Sequence, residues 1–248
     1  MNVSLYQAAA AMNAQMLWQD MIAHNLASAS VPGFCKQDVS FDDVQAGSPF
    51  LVSGAAPARF FIPTARAVPS FQQGEFRPTG GSLDFALDGP GFFEVELPNG
   101  QRAYTRNGQF QLNAASQLIN GQGNPVLAGN RPIQFDPNNS GKIVVSATGQ
   151  ISQGGQAKGR LSVVEFSDPR GLVATTGGLL IASQPGMKPA PAGKGTTIRQ
   201  GYLEEANSSP TVEMSQLITA MRMFEANQKV LQMQDSRMGK IISDLGGA

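Results

Sequence analysis

Two stretches at opposite ends of the chain repeat apolar residues at the three- and four-residue steps that packed helices require. The first, residues 3–28, is rich in alanine and contains no glycine or proline. The second, residues 210–245, is preceded by Ser209 as an N-cap, begins with Pro210 and is followed by glycine. Because such steps align apolar side chains along a helix, the sequence predicts two terminal helices paired as a coiled coil.

The apolar positions of these helices are the candidate assembly interface. A two-helix hairpin cannot bury two broad apolar surfaces by itself, whereas several copies of the hairpin can, and the first helix carries almost no charge on any side. The alternative is that both helices pack on the middle of the same chain, as most single apolar stripes do. The candidate residues are Leu5, Met12, Met16, Ile22 and Leu26 in the first helix and Met214, Leu217, Met221, Phe224, Leu231, Met238 and Ile242 in the second.

The region between the helices is punctuated by glycine, proline and asparagine, as β structure with tight turns is. Asn99-Gly100 and Asn107-Gly108 are hairpin signals because both residue types tolerate positive φ. We expect an α+β protein with four segments: a first helix in 1–34, an extended linker in 35–74, a central all-β domain of meander or barrel type in 75–203, and a second helix in 204–248. The predicted strands are residues 92–97, 102–105, 110–112, 125–128, 142–146, 150–152, 159–166 and 179–182.

No pattern in the chain supports catalysis or a cofactor. The one histidine, His24, and the one cysteine, Cys35, leave no catalytic triad, zinc set or intramolecular disulfide. Glu94 and Glu96 share one strand face and are either paired acids or, equally well, solvated positions. The glycine-containing stretch 193–196 and the acidic stretch 136–141 lack the spacing of phosphate and calcium loops. The sequence therefore predicts a non-enzymatic protein without cofactor or metal.

Charge and hydropathy bear on the partners of the chain. The 18 Lys and Arg residues balance 18 Asp and Glu residues, which argues against a nucleic-acid partner or an anionic membrane surface. The first nineteen residues contain no Lys or Arg, so we expect no cleavable secretion signal. No apolar run approaches the roughly 18 residues of a membrane span, so we expect no membrane insertion.

Several ordered blocks of the chain are similar to known proteins. The first is Asn25-Leu26-Ala27-Ser28-Ala29-Ser30-Val31-Pro32-Gly33-Phe34, followed by Leu83-Asp84-Phe85-Ala86-Leu87-Asp88-Gly89-Pro90-Gly91-Phe92-Phe93, Tyr104-Thr105-Arg106-Asn107-Gly108 and Gly201-Tyr202-Leu203-Glu204-Glu205-Ala206-Asn207. These blocks resemble the flagellar basal-body rod family of FlgF/FlgG type, which is related to the hook axial proteins. Ser28 stands where this family usually has Asn, and Cys35 precedes the usual basic residue, here Lys36.

The resemblance implies an inner layer of paired terminal helices and an outer β domain. It implies export by the flagellar type III apparatus, localisation in the periplasm-spanning rod, and assembly with itself and with other rod and axial proteins for motility. The short length and the stretch 29–34 resemble the proximal-rod member most closely, with the distal-rod member as the alternative. Outside the family, an exported β-domain binding module or an undetected hydrolase stays open.

The block of residues 25–34 is expected to end the first helix and turn the chain outward. We hypothesise that Asn25 hydrogen-bonds the exposed helix-end backbone, that Gly33 supplies a backbone angle other residues avoid, and that Phe34 anchors the turn. Gly33→Val is then expected to abolish assembly and leave the β domain folded.

Overall fold

A computed structural model describes residues 3–46, 60–183, 186–193 and 195–246. The chain forms two compact units: the first holds residues 1–26, 37–68 and 210–248, and the second holds residues 27–36 and 69–209. The two helices are α1 (Val3–Ser28) and α2 (Pro210–Gly246). The strands of the described residues are β1 (Gln37–Ala46), β2 (Phe60–Pro69), β3 (Phe76–Pro78), β4 (Phe85–Asp88), β5 (Phe92–Glu96), β6 (Arg102–Thr105), β7 (Phe110–Leu112), β8 (Leu118–Asn120), β9 (Leu127–Ala128), β10 (Arg131–Pro132), β11 (Ile143–Val145), β12 (Gln150–Gln153), β13 (Gln156–Arg160), β14 (Val163–Glu165), β15 (Leu172–Ala174), β16 (Leu180–Ala182), β17 (Ala190–Pro191), β18 (Thr197–Gln200) and β19 (Tyr202–Glu204).

The first unit contains both helices and the two-stranded sheet of β1 and β2. The predicted bounds of the first helix are confirmed, and α2 extends one residue beyond its prediction. The expected α+β class, with two terminal helices in contact and a central β region, is also confirmed. Strands β1 and β2 are ten residues each, although proline-rich residues 35–74 predicted only an extended linker with short strands. No helix of the described residues is apolar over a length that would cross a membrane.

The second unit is built around a six-stranded sheet with the order β15-β16-β6-β5-β14-β17, in which all recorded pairings are antiparallel. Two short pairs, β18 with β4 and β19 with β3, join residues from the start and the end of the unit. The predicted hairpin of β5 and β6 is confirmed, with Gly100 at φ +77° in its turn. The single strand predicted at residues 159–166 is instead divided in two, because β13 pairs with β12 while β14 pairs with β5 and β17.

Strand β5 separates two apolar clusters because its successive side chains point to opposite faces of the sheet. Phe93 lies in the larger cluster with Phe85, Phe110 and Ile151, and Phe92 lies in the smaller one. The Phe93 and Phe110 rings meet edge to face with centroids 5.2 Å apart. The second unit therefore has a closely packed apolar core of its own.

Glu94 corrects one expectation from the sequence. The sequence predicts that Glu94 is either paired with a second acid or solvated on a strand face. In the structure, only 1 % of Glu94 is exposed. Arg102 donates to its Oε1 at 2.7 Å, and the Ser162 hydroxyl donates to its Oε2 at 2.5 Å. The charge of the buried carboxylate is thus balanced by Arg102, and both of its oxygens accept hydrogen bonds. A charge is tolerated inside a protein under these conditions.

Candidate assembly site: the helix pair and the turn after the first helix

Side-chain amides join α1 to α2. Gln15 Nε2 and Gln19 Nε2 both donate to the backbone carbonyl oxygen of Ala220, at 3.2 Å and 3.1 Å. Asn227 Nδ2 donates to Gln15 Oε1 at 2.7 Å. The later residue of α1, Gln19, contacts Ala220, whereas the later residue of α2, Asn227, contacts the earlier Gln15. The two helices are therefore antiparallel. Ala220 is fully buried, and its small side chain lets the two helices approach closely.

The more buried positions of α2 recur at steps of three and four residues. We call Leu217, Ala220, Phe224 and Leu231 the covered stripe, since each is buried or half-buried and Ala220 contacts α1. Large apolar side chains outside the covered stripe are about half exposed. Six of them form stripe A (Met214, Ile218 and Met221) and stripe B (Met223, Val230 and Met233), and Val212 lies nearer the start of the helix.

Stripes A and B lie on different sides of α2. At 100° of rotation per residue, stripe A is about 100° from the covered stripe in one direction and stripe B about 120° in the other. On the stripe B side, Met223 and Ala226 of α2 line an open groove with Ala11 and Trp18 of α1. Among the described residues, the covered stripe of α2 lies against α1, and stripes A and B hold large apolar side chains that are about half exposed.

The structure divides the predicted interface residues among these faces. Ile22 is buried, and Met12, Leu26, Leu217, Phe224 and Leu231 are half-buried, whereas Met16, Met214 and Met221 are about half exposed. The side chains of Leu5, Met238 and Ile242 lie outside the described part of the structure. The predicted interface residues therefore lie partly in the covered stripe and partly outside it, and their role in assembly stays a prediction. The contact between α1 and α2 also uses Gln15, Gln19 and Asn227, which an apolar repeat cannot reveal.

Asn25 is held near the end of α1 with 3 % of its surface exposed. Its Nδ2 donates to the Gln37 carbonyl oxygen at 2.8 Å, and its Oδ1 accepts from the Gln37 backbone nitrogen at 2.9 Å. The sequence-based hypothesis named the helix-end backbone as the partner of Asn25. The structure instead gives it the first residue of β1, so that this side chain ties the helix to the strand that follows the turn.

Gly33 lies in the turn at φ +65°, in the left-handed region that side chains avoid. A Cβ atom at this position would lie 2.3 Å from both the Arg106 carbonyl carbon and the Asn107 nitrogen. The Gly33 nitrogen donates to the Glu204 carbonyl oxygen at 2.7 Å. Glycine is therefore required here for its backbone angle and for the close approach of another backbone segment.

The next residue, Phe34, is buried, and its carbonyl oxygen accepts from the Asn207 nitrogen at 3.3 Å. The Asn207 side chain continues this connection. Its Oδ1 accepts from the Lys36 nitrogen at 2.7 Å, and its Nδ2 donates to the carbonyl oxygens of Ser70 and Gln72, each at 2.9 Å. One side chain therefore joins three separate segments of the second unit.

A buried ion pair lies beside the turn. Arg106 Nη1 is 3.0 Å from Glu204 Oε1, and the two side chains are 2 % and 3 % exposed. Arg106 also stacks over the Phe92 ring at 5.3 Å, and the Gly74 nitrogen donates to Glu204 at 3.0 Å. Burial raises the pKa of Glu204, while Arg106 opposes that rise. Sequence reasoning assigned no role to Arg106, Glu204 or Asn207, although each lies in a block that carried the family resemblance.

Cys35 adjoins this ion pair and is not activated by it. Burial raises the pKa of the thiol to about 11, with Arg106 acting in the opposite direction. A thiol with so high a pKa is a poor nucleophile at neutral pH. Within the described residues, no group of three or more His, Cys, Asp or Glu side chains is placed to hold a metal ion.

Family models match two segments of the chain, one in the β region and one that includes most of α2. Residues 86–153 match the flagellar hook protein FlgE/F/G D1 domain, and residues 199–244 match the C-terminal region of the flagellar basal body rod FlgEFG proteins. The flagellar basal-body rod protein FlgF of Caulobacter vibrioides is 34 % identical over 213 residues, which cover 86 % of this chain and 85 % of that protein. The chain belongs to the flagellar basal-body rod FlgE/F/G family.

Other relatives agree with this membership. FlgF of Mesorhizobium japonicum is 32 % identical over 248 residues, covering 99 % of both chains. FlgG of Caulobacter vibrioides is 30 % identical over 261 residues, covering 95 % of this chain and 96 % of that protein. The protein is thus a structural, non-enzymatic member of the flagellar basal-body rod family, and identity near 30 % to both groups does not separate FlgF from FlgG.

Proposed function

We propose that the chain polymerises through its terminal helices as a torque-transmitting subunit of the flagellar rod. The observation that carries this proposal is the surface of α2, where stripes A and B remain about half exposed beside the covered stripe. Full burial of a Met- or Val-sized side chain contributes roughly 1.5–3 kcal/mol. Stripes A and B therefore favour two further helices around α2, supplied by neighbouring subunits.

Stripe A can be tested with a matched pair of variants. Met221 in stripe A and Val144 in the second unit are both 52 % exposed. We expect Met221→Glu to abolish rod assembly and swimming, because a charge would be placed inside a helix contact. Val144→Glu is expected to retain both. The measurements are swimming in soft agar and electron microscopy of isolated basal bodies; a motile Met221→Glu strain, or equal loss in the two strains, would overturn the proposal.

The turn at residues 25–34 is proposed to set the direction in which the chain leaves α1. Gly33→Val brings a side chain against the Arg106–Asn107 backbone, whereas Gly80 has a similar φ of +70° and no atom within 4 Å of the place a Cβ would occupy. We expect Gly33→Val to abolish motility with the β core still folded, as judged by thermal unfolding. Gly80→Val carries the same backbone strain without the clash and is expected to retain motility. A swimming Gly33→Val strain contradicts this role.

Within the rod, we propose the proximal, FlgF-like position. The short chain and the stretch 29–34 support it. Immunogold labelling of isolated basal bodies is expected to mark the end of the rod nearest the inner membrane. Labelling at the far end would assign the chain to the distal, FlgG-like rod.

Export by the flagellar type III apparatus and assembly with other axial proteins complete the proposal. They are supported by membership of the flagellar basal-body rod family. Deletion of the export ATPase is expected to keep the chain in the cytoplasm with its N-terminus intact. A processed N-terminus in the periplasm of that strain would indicate a different route.

A further inference from the structure

We propose that Gln15, Gln19 and Asn227 form a polar clamp that fixes the axial register of α1 against α2. The clamp has three hydrogen bonds that converge on one place. Gln15 uses both ends of its amide, donating to the Ala220 carbonyl oxygen and accepting from Asn227, and Gln19 donates to the same carbonyl oxygen. Ala220 and Asn227 are one heptad apart, so Gln15 bridges a full heptad of α2.

Most of the buried apolar side chains of the two helices do little to define a register. Besides Ile22, which is 2 % exposed, the most buried apolar residues of α1 and α2 are the small Ala14 and Ala220 and the flexible Met21. Methionine adapts readily to altered neighbours, and alanine offers little shape to interlock. A shift by one heptad moves the helices by about 10 Å and places similar apolar steps opposite each other again.

The amides make such a shift unfavourable. Only 8 % of Gln15 is exposed, so a shift would leave its buried amide without these partners, whereas the exposed amide of Asn227 would return to water. Each net hydrogen bond lost changes the ratio of the two registers by about fivefold. A buried polar side chain is known to select register in coiled coils at some expense of stability.

The clamp also has a consequence for assembly, and this consequence rests on the proposed function. With one register, Met16 of α1 and Met221 of α2 take a single relative height in every subunit. Identical heights are required if each subunit is to repeat the same contact with its neighbours. The register itself is a property of one chain and is tested without any polymer.

The test measures register by the distance between two spin labels in the purified full-length chain. The labels are attached at Asp20→Cys and Arg222→Cys, both exposed positions, in a Cys35→Ser background. We expect a single narrow distance in this parent. The double variant Gln15→Met with Asn227→Leu is expected to add a second distance and to keep its helix content by circular dichroism. Gln228→Met, which changes an exposed amide of the same helix, is the control and is expected to match the parent.

Every outcome of this experiment decides the proposal. An unchanged single distance in the double variant, or no single distance in the parent, overturns the clamp. If the double variant loses its helices, Gln19→Met removes one hydrogen bond and is expected to raise the shifted register about fivefold; no rise in that variant overturns the clamp as well. If the unsubstituted chain has a single register but does not form a rod, the result contradicts the proposed function and not the clamp.

Discussion

The helix unit and the β unit bury apolar side chains to very different extents. In the β unit, Phe85, Phe92 and Phe93 are at most 1 % exposed, and two clusters fill the space on both sides of β5. In the helix unit, Met214, Met221 and Met233 are each more than half exposed. Large exposed apolar surfaces mark contact sites, so the exposed side chains of the helix unit agree with the proposed assembly through α2, whereas the β unit has an apolar core of its own.

The largest expected difference between the two units is in hydrogen exchange of the purified monomer. Core strands open only with global unfolding, whereas helices with few buried contacts open locally. We expect amides of β5 and β6 to exchange at least about a hundredfold more slowly than those of α2 beyond residue 228. Mass spectrometry of peptides from each element measures this. Equal protection would show that the helix unit is already complete in one chain.

Substitution in the cores is the next test of the comparison. Phe93→Ala is expected to lower the free energy of unfolding by about 3–5 kcal/mol, because it leaves a cavity in the larger apolar cluster. Met221→Ala is expected to change it by less than about 0.5 kcal/mol. Urea unfolding followed by circular dichroism measures both values. A large effect of Met221→Ala would mean that stripe A already packs within the monomer.

The buried carboxylate of the β unit gives a smaller effect. Glu94→Gln removes the charge that Arg102 and Ser162 hydrogen-bond, and it is expected to lower the free energy of unfolding by about 1.5–3 kcal/mol. Glu96→Gln, at a half-buried position on the same face of β5, is the matched control and is expected to have little effect. Equal losses in the two variants would contradict the assignment of Glu94 as a structural ion-pair partner.

The smallest effect concerns Cys35 and is confined to alkaline pH. The folded pKa of about 11 lies above the ordinary value of 9.0, so the folded state holds the thiol proton more tightly than the unfolded state. This contribution to stability is fully present below pH 9 and is lost as the pH rises from 9 to 11. Thermal unfolding of Cys35→Ser and the parent between about pH 7 and 11 is expected to show a steeper alkaline decline in the parent. Identical profiles would contradict burial of the thiol.

Local signals explain which parts of the fold could be predicted from sequence. The bounds of α1 and the β5–β6 hairpin follow from alanine-rich helical steps and an Asn-Gly turn, which act over a few residues. Strand β3 pairs with β19 and strand β4 pairs with β18, in each case more than a hundred residues away. A pattern of neighbouring residues therefore does not predict these pairings.

The site was predicted in part for a similar reason. Gly33 was selected because it is a glycine in a family block, whereas Arg106 and Glu204 were overlooked because their roles depend on each other. The apolar repeat indicates where side chains can be buried, but it does not indicate the hydrogen bonds that Gln15, Gln19 and Asn227 make between the helices. A hydrogen bond from a side-chain amide depends on how close its partner lies in the folded chain, and a repeat of apolar residues does not contain that information.

The hydrogen bond between Lys36 and Asn207 spans 171 positions of the chain and affects when the turn after α1 can fold. Contacts of such long sequence separation form slowly, since a large loop must close before they can be made. The hydrogen bonds that Gly33, Phe34 and Lys36 make with Glu204 and Asn207 therefore form only after β19 and Asn207 have been synthesised. The turn after α1 is therefore completed only when the C-terminal end of the β unit is available to it.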